Sequence, residues 1–205
     1  DPMIYLIRHG KTRANEAHLY CGSTDLPLSE AGKAELVKLH YGVTPERFLT
    51  SGMRRTNETL RILFGDVPFT PVPEFREVDF GAFEMHSYEE LRENAGYQRW
   101  ITGDNEKNVP PGGESGAGMT ARVTAAFSAL RQLPGDTVLV THGGVIAAIM
   151  AHEFPAEKKS RYQWQPEPGH GYAITENTTS GEVFSYEKQI HNLKEESEHF
   201  MTMLN

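Results

Sequence analysis

Two short apolar runs in this chain each stop at a histidine followed by glycine. Met3-Ile4-Tyr5-Leu6-Ile7 leads straight into Arg8-His9-Gly10, and Val138-Leu139-Val140 ends in Thr141-His142-Gly143-Gly144. Runs this short, rich in branched side chains and closed by glycine, read as buried strands rather than helices. In an open α/β sheet the ligand crevice lies beyond the carboxyl ends of the strands. The two histidines are therefore expected at one shared crevice.

Composition sets the outer limits. With 205 residues, 38% hydrophobic and 23% charged, the chain reads as one globular domain able to bury a sizeable core. The 28 acidic against 20 basic side chains leave a net charge of −8, which argues against nonspecific binding to nucleic acid or to an anionic membrane. A phosphate ligand would need a local cationic pocket. No apolar run approaches the roughly 20 residues of a spanning helix, and the start lacks a signal-peptide pattern, so a cytoplasmic location is expected. Cys21 is the only cysteine, which excludes an intrachain disulfide. Asp1-Pro2 ahead of Met3 reads as a remnant of expression, outside the fold.

Along the chain, strands and helical segments alternate. A strand at Met3 to Ile7 feeds a helix opened by Ser29-Glu30-Ala31-Gly32; Arg47 to Thr50 reads as a second strand and Met53 to Phe64 as the helix after it. Pro68, Pro71 and Pro73 confine any strand between them to an edge. Ser87 to Trp100 reads as helical, Asn108 to Gly118 as a Pro/Gly loop, and Met119, Val123, Ala126, Phe127 and Leu130 as one face of a helix running from Ser115 to Leu133. Thr137 to Val140 forms the strand that delivers His142, Gly144 begins another helix, and Tyr172 to Ile174 with Val183 to Tyr186 form a late strand pair; Asn192 to Asn205 reads as a short or frayed helix. The expected fold is a three-layer α/β sandwich with a mostly parallel central sheet and helices on both faces. A single domain over residues 3–205 carries a helical and loop insertion at about 82–118.

His9 has more than its residue type to recommend it. It follows a strand, lies between Arg8 and Gly10, and precedes Thr12 and Asn15. Glycine lets backbone approach a ligand, arginine and asparagine bind phosphate oxygens, and histidine can carry a covalent intermediate. Other readings weaken on spacing. Cys21 has Pro27, not arginine, six residues on, so it does not make a tyrosine-phosphatase loop; Asp79-Phe80-Gly81 lacks the companions of a kinase motif; His142, His152 and Glu153 lack the spacing of a zinc helix.

The motifs together carry a resemblance. Leu6-Ile7-Arg8-His9-Gly10-Lys11-Thr12 with Asn15 resembles the opening motif of the histidine phosphatase superfamily, the phosphoglycerate-mutase-like enzymes. Gly22 to Ser29 with Gly32, Ser51-Gly52-Met53-Arg54-Arg55-Thr56 with Thr59, Phe75-Arg76-Glu77-Val78-Asp79-Phe80-Gly81 with Glu84, Gly112-Gly113-Glu114-Ser115 with Arg122, and Thr141 to Gly144 follow in that family's order. The resemblance implies a phosphoglycerate-mutase-like fold, His9 as nucleophile, and Glu77 as proton donor to the leaving oxygen. It implies a phosphate clamp of Arg8, Asn15, Arg55 and His142, the last adding positive charge if protonated. Thr12, Cys21, Gly22 and Gly143 become candidate pocket residues. Neither a metal nor a cofactor is implied.

Departures from the pattern concern the pocket rim. Lys11 stands where many members have glutamate, and Phe83-Glu84-Met85-His86 replaces the more usual Trp-Glu-Gly. Arg13-Ala14 ahead of Asn15, and the short path from the acid motif to Ser87, favour a phosphatase over a mutase. The Asp79-Phe80-Gly81 segment, Tyr97, Trp100 and the Pro111 to Ser115 loop are similar to those of alpha-ribazole phosphatases of cobalamin biosynthesis. The expected partner is a small phosphorylated metabolite, with no nucleic acid and no membrane, and a homodimer is allowed for. Phosphoglycerate-mutase-type transfer is the runner-up, and a noncatalytic phosphate-ligand sensor the third reading.

Overall fold

The structure is a computed structural model that describes residues 2–104, 106–177 and 182–189. The first strand, β1 (Met3–Arg8), leads through the short α1 (Arg13–Glu16) to α2 (Glu30–Leu36), β2 (Arg47–Thr50) and α3 (Arg54–Phe64). The edge strand β3 (Thr70–Pro71) precedes α4 (Tyr88–Leu91) and α5 (Ala95–Thr102). The long α6 (Gly116–Arg131) is followed by β4 (Thr137–Thr141), α7 (Gly143–Glu153), α8 (Arg161–Trp164), β5 (Gly171–Asn177) and β6 (Glu182–Gln189).

The strand order is β3-β2-β4-β1-β5-β6. β1, β4, β2 and β3 run parallel, while β5 is antiparallel to both β1 and β6. This is the mostly parallel sheet expected from the strand and helix alternation. Side chains of the two central strands divide by strict alternation. Ile4, Leu6 and Leu139 pack with α6 and α7 through Met119, Val123, Phe127, Ile146 and Ile149, whereas Ile7, Val138 and Val140 pack with Leu36, Leu60 and Leu63 of α2 and α3. Burial on both faces explains why these strands read as continuous apolar runs. It also fixes their register, since a slip of one residue would exchange the two faces.

Two details differ from the sequence expectation. The helical stretch from Ser87 to Trp100 is two helices, each with its own cap: Ser87 Oγ accepts from Glu90 N and Asn94 Oδ1 from Tyr97 N. The short helices α1 and α8 lacked a periodic apolar signal because four residues make one turn. The segment Asn192 to Asn205 lies outside the described residues.

Candidate active site

Parallel pairing of β1 with β4 sets Arg8 beside Thr141, so the next residue of each strand emerges at the same place. His9 N–H donates to Thr141 O at 3.0 Å, and the rings of His9 and His142 meet edge to face with centroids 5.1 Å apart. Both rings are buried.

His9 Nδ1 lies 2.6 Å from Gly10 O. A carbonyl only accepts, so Nδ1 bears the proton and Nε2 is left with its lone pair. Burial, then the charges of Arg55 and Arg8, hold the imidazole well below the ordinary histidine pKa, against the opposing pull of the Gly10 carbonyl. The site therefore presents a neutral ring with a fixed tautomer and a bare Nε2. Gly10 N–H in turn donates to Thr59 Oγ1 at 2.9 Å.

Arg55 is 1% exposed on the first turn of α3. Its Nη1 donates to Thr24 O at 2.8 Å and its Nη2 to Gly22 O at 2.7 Å. Carbonyl dipoles hold the guanidinium but do not cancel its charge, which is what an anion pocket requires. The neighbouring Arg54 points outward to Glu58. The carbonyls that hold Arg55 belong to a loop tied down by Glu84. Its carboxylate accepts from Gly22 N, Thr24 N, Thr24 Oγ1 and Phe80 N at 2.8 to 3.1 Å. Gly22 is obligatory here, since a Cβ would fall 1.7 Å from Val78 O. Cys21 Sγ donates to Thr24 O at 3.5 Å, and burial pushes its thiol pKa up despite Arg55.

Arg8 sends Nη1 to Pro166 O at 2.9 Å, while its buried Nε has no hydrogen-bond partner among the described residues. Asn15 is half committed. Its Oδ1 accepts from Thr12 N at 2.9 Å and Thr12 Oγ1 at 3.1 Å in a capping box that starts α1, which leaves Nδ2 as the donor it can offer. Thr12 is thus buried as a cap.

His142 Nε2 lies 2.8 Å from Ser51 Oγ, and Nδ1 is buried without a partner among the described residues. Burial, followed by Arg55, His9, Arg122 and Arg8, keeps this ring well below the ordinary histidine pKa as well. In the free protein His142 is neutral, so the positive charge of the pocket rests on the arginines. Gly143 is the buried first residue of α7. The next residue matters more: Gly144 N–H donates to Glu77 Oε2 at 2.9 Å, and a Cβ on Gly144 would lie 2.5 Å from Glu77 Oε1. Glu77 Oε1 also accepts from Val78 N at 3.0 Å. Asp79 has separate duties, accepting from Ser23 Oγ and Gly81 N to close a turn.

Beside Glu77 opens a cleft of about 310 Å³, lined by Tyr20, Phe80, Trp100, Met119 and Tyr162 among others. Among the described residues no group of three or more His, Cys, Asp or Glu is arranged to hold a metal ion. No helix among them is long and apolar enough to cross a membrane.

Of the candidate residues from the sequence, His9, Arg8, Arg55, His142, Glu77, Cys21, Gly22 and Gly143 lie near one another at the strand ends and in the loops beside them, while Thr12 and Asn15 pair with each other at the start of α1. Ser51, Glu84, Arg122 and Gly144 were not among them, although each lies inside a motif already noted. What hid them is that they bind other site residues rather than a ligand.

A cationic pocket at the ends of parallel strands, with a bare imidazole nitrogen inside and a carboxylate at its edge, defines an α/β protein built to handle a phosphate ester. The chain belongs to the histidine phosphatase superfamily, whose branch 1 profile matches residues 4–186. It is 33% identical over 180 residues to the adenosylcobalamin/alpha-ribazole phosphatase of Salmonella typhimurium, covering 83% of this chain and 89% of that one. Its fold is similar to the alpha-ribazole phosphatase of Shigella flexneri, with a TM-score of 0.77 and 28% identity over 93% of this chain and 96% of that one. A phosphoglycerate mutase from Thermus thermophilus has a TM-score of 0.65 and 29% identity, covering 90% of this chain and 97% of that one.

Proposed function

We propose that this protein is a phosphomonoesterase that works through a phosphohistidine on His9. The observation that carries the reading is the Nδ1 contact of His9 with Gly10 O at 2.6 Å, which leaves Nε2 unprotonated. Nε2 attacks phosphorus, the bond to the ester oxygen breaks, and Glu77 gives that oxygen its proton. Water then attacks the phosphohistidine with Glu77 as base, releasing inorganic phosphate and restoring His9. Charge on the equatorial oxygens is stabilised by Arg8, Arg55, the Nδ2 of Asn15 and a hydrogen bond from His142. No step in this route calls for a metal ion.

The substrate is a small phosphorylated metabolite whose alcohol half occupies the aromatic cleft beside Glu77. An alpha-ribazole 5'-phosphate fits that description, and the relatives named for alpha-ribazole support it. The deciding experiment measures phosphate release from 4-nitrophenyl phosphate in excess EDTA, with the parent and His9→Ala. Turnover that survives EDTA and disappears in the variant is expected; turnover kept by His9→Ala would remove the nucleophile from the scheme. A second panel compares alpha-ribazole 5'-phosphate with 3-phosphoglycerate. Isomerisation of the phosphoglycerate without net phosphate release would put a mutase in place of the phosphatase.

A further inference from the structure

Glu77 follows the 3-10 turn Pro73–Phe75, in a segment that pairs with no strand among the described residues. Four consecutive carbonyls there are nevertheless all paired, each with a side chain. Thr141 Oγ1 donates to Phe75 O at 2.7 Å. Arg122 takes the other three: Nη1 donates to Glu74 O and Arg76 O, each at 2.7 Å, and Nη2 to Glu77 O at 3.0 Å. The remaining two donors form a fork on Glu114, Nε to Oε2 at 2.9 Å and Nη2 to Oε1 at 2.8 Å. All five N–H groups of the guanidinium are thus used, three on the backbone that carries Glu77 and two on a carboxylate that fixes the guanidinium plane. Glu114 is itself anchored, since its N–H donates to Asp79 O at 2.9 Å.

We propose that Arg122, oriented by Glu114, is a positioning residue that sets the reach of Glu77 toward the leaving oxygen; this rests on Glu77 being the proton donor. The backbone of Glu77 is held by Arg122 on one side and its carboxylate by Gly144 N–H on the other. A proton donor must stand within hydrogen-bond distance of its target, and a displacement of about 1 Å can cost on the order of 10²-fold in rate. Lysine in place of Arg122 would keep the charge but could neither fork onto Glu114 nor span three carbonyls.

Leaving-group dependence separates positioning from mere support of the fold. A dinitrophenolate departs without a proton, whereas an alkoxide needs one. The rate of phosphohistidine formation in rapid-quench single turnovers is measured with 2,4-dinitrophenyl phosphate and with a nucleoside 5'-phosphate, for the parent, Arg122→Lys, Glu114→Gln and Glu77→Gln. Arg122→Lys is expected to slow transfer from the alkyl ester by about 10- to 100-fold, within the usual weight of a general acid, and from the dinitrophenyl ester by less than about threefold. Glu114→Gln, which keeps the shape of the fork, should show a weaker version of the same split and serves alone if Arg122→Lys does not fold. Equal losses on both esters, or no loss on either, would overturn the proposal. If Glu77→Gln itself shows no split while Arg122→Lys does, the proton-donor reading of Glu77 fails and the proposal fails with it. A split in Glu77→Gln without one in Arg122→Lys and Glu114→Gln spares that reading and removes Arg122 alone.

Discussion

His142 and Ser51 form a buried pair, with Nε2 of the ring 2.8 Å from the serine Oγ. Thr56 Oγ1 donates to Met53 O at 2.8 Å, so it has no proton for Ser51, which lies 3.2 Å away. Met53 N–H reaches Ser51 Oγ at 3.4 Å and occupies one of its lone pairs. Nδ1 is the ring nitrogen without a protein partner among the described residues.

Replacing Ser51 by alanine leaves Nε2 of His142 buried and unpaired. We expect about 1–3 kcal/mol of lost stability in urea unfolding and a drop in kcat of about tenfold or more. A variant with parental kcat would show that the ring keeps its orientation without Ser51.

The neutral histidines make stability depend on pH. Their folded pKa values lie below the ordinary value, so between that value, about 6.5, and the folded values the unfolded chain binds protons that the folded chain refuses. Stability is fully present above about pH 6.5 and falls as the pH drops toward the folded values, by about 1.4 kcal/mol per pH unit for each ring. Urea titrations at about pH 7.5 and 5.5, on either side of that value, should show the loss, and His9→Gln should lessen it. A slope indifferent to that substitution would mean that His9 titrates in the folded protein as it does in the unfolded chain.

Glu84 acts on the pocket through the loop it ties down. Glu84→Ala frees the N–H groups of Gly22 and Thr24, whose carbonyls hold Arg55. We expect the inhibition constant of phosphate or vanadate to rise by about tenfold, near the worth of one charge-assisted hydrogen bond. Unchanged inhibition would mean that Arg55 keeps its place without the loop.

Met85 sits at a φ of 64°, in the left-handed region, where the family pattern more usually has glycine. Its N–H donates to Tyr20 O at 2.7 Å, so the conformation is held by pairing with the Tyr20 segment. Met85→Gly should change stability by no more than about 1 kcal/mol, whereas a β-branched Met85→Val should cost about 1–3 kcal/mol. Thermal unfolding of the two variants separates these outcomes.

Much of this protein was legible in its sequence because the deciding signals are local. A strand buried on both faces must be apolar throughout, so Ile4 to Ile7 and Val138 to Val140 announced themselves, and the glycines after His9 and His142 marked the strand ends where ligands gather. The motif order then joined Arg55 and Glu77 to the same crevice. Short elements such as α8 stayed hidden because one helical turn shows no period.

Tertiary structure decided everything that depends on which group a side chain reaches. The sequence could place Glu77, Arg122 and Glu114 in motifs, yet only the packing of α6 against the turn after Pro73 brings one guanidinium to three carbonyls and a carboxylate. It could name His142 but not its charge, because a pKa follows from burial and from neighbours such as Arg55 that lie far away along the chain. Residue type and strand period are properties of the chain itself. Tautomer, protonation and the aim of a proton donor are properties of distances, which exist only once the sheet has set its register.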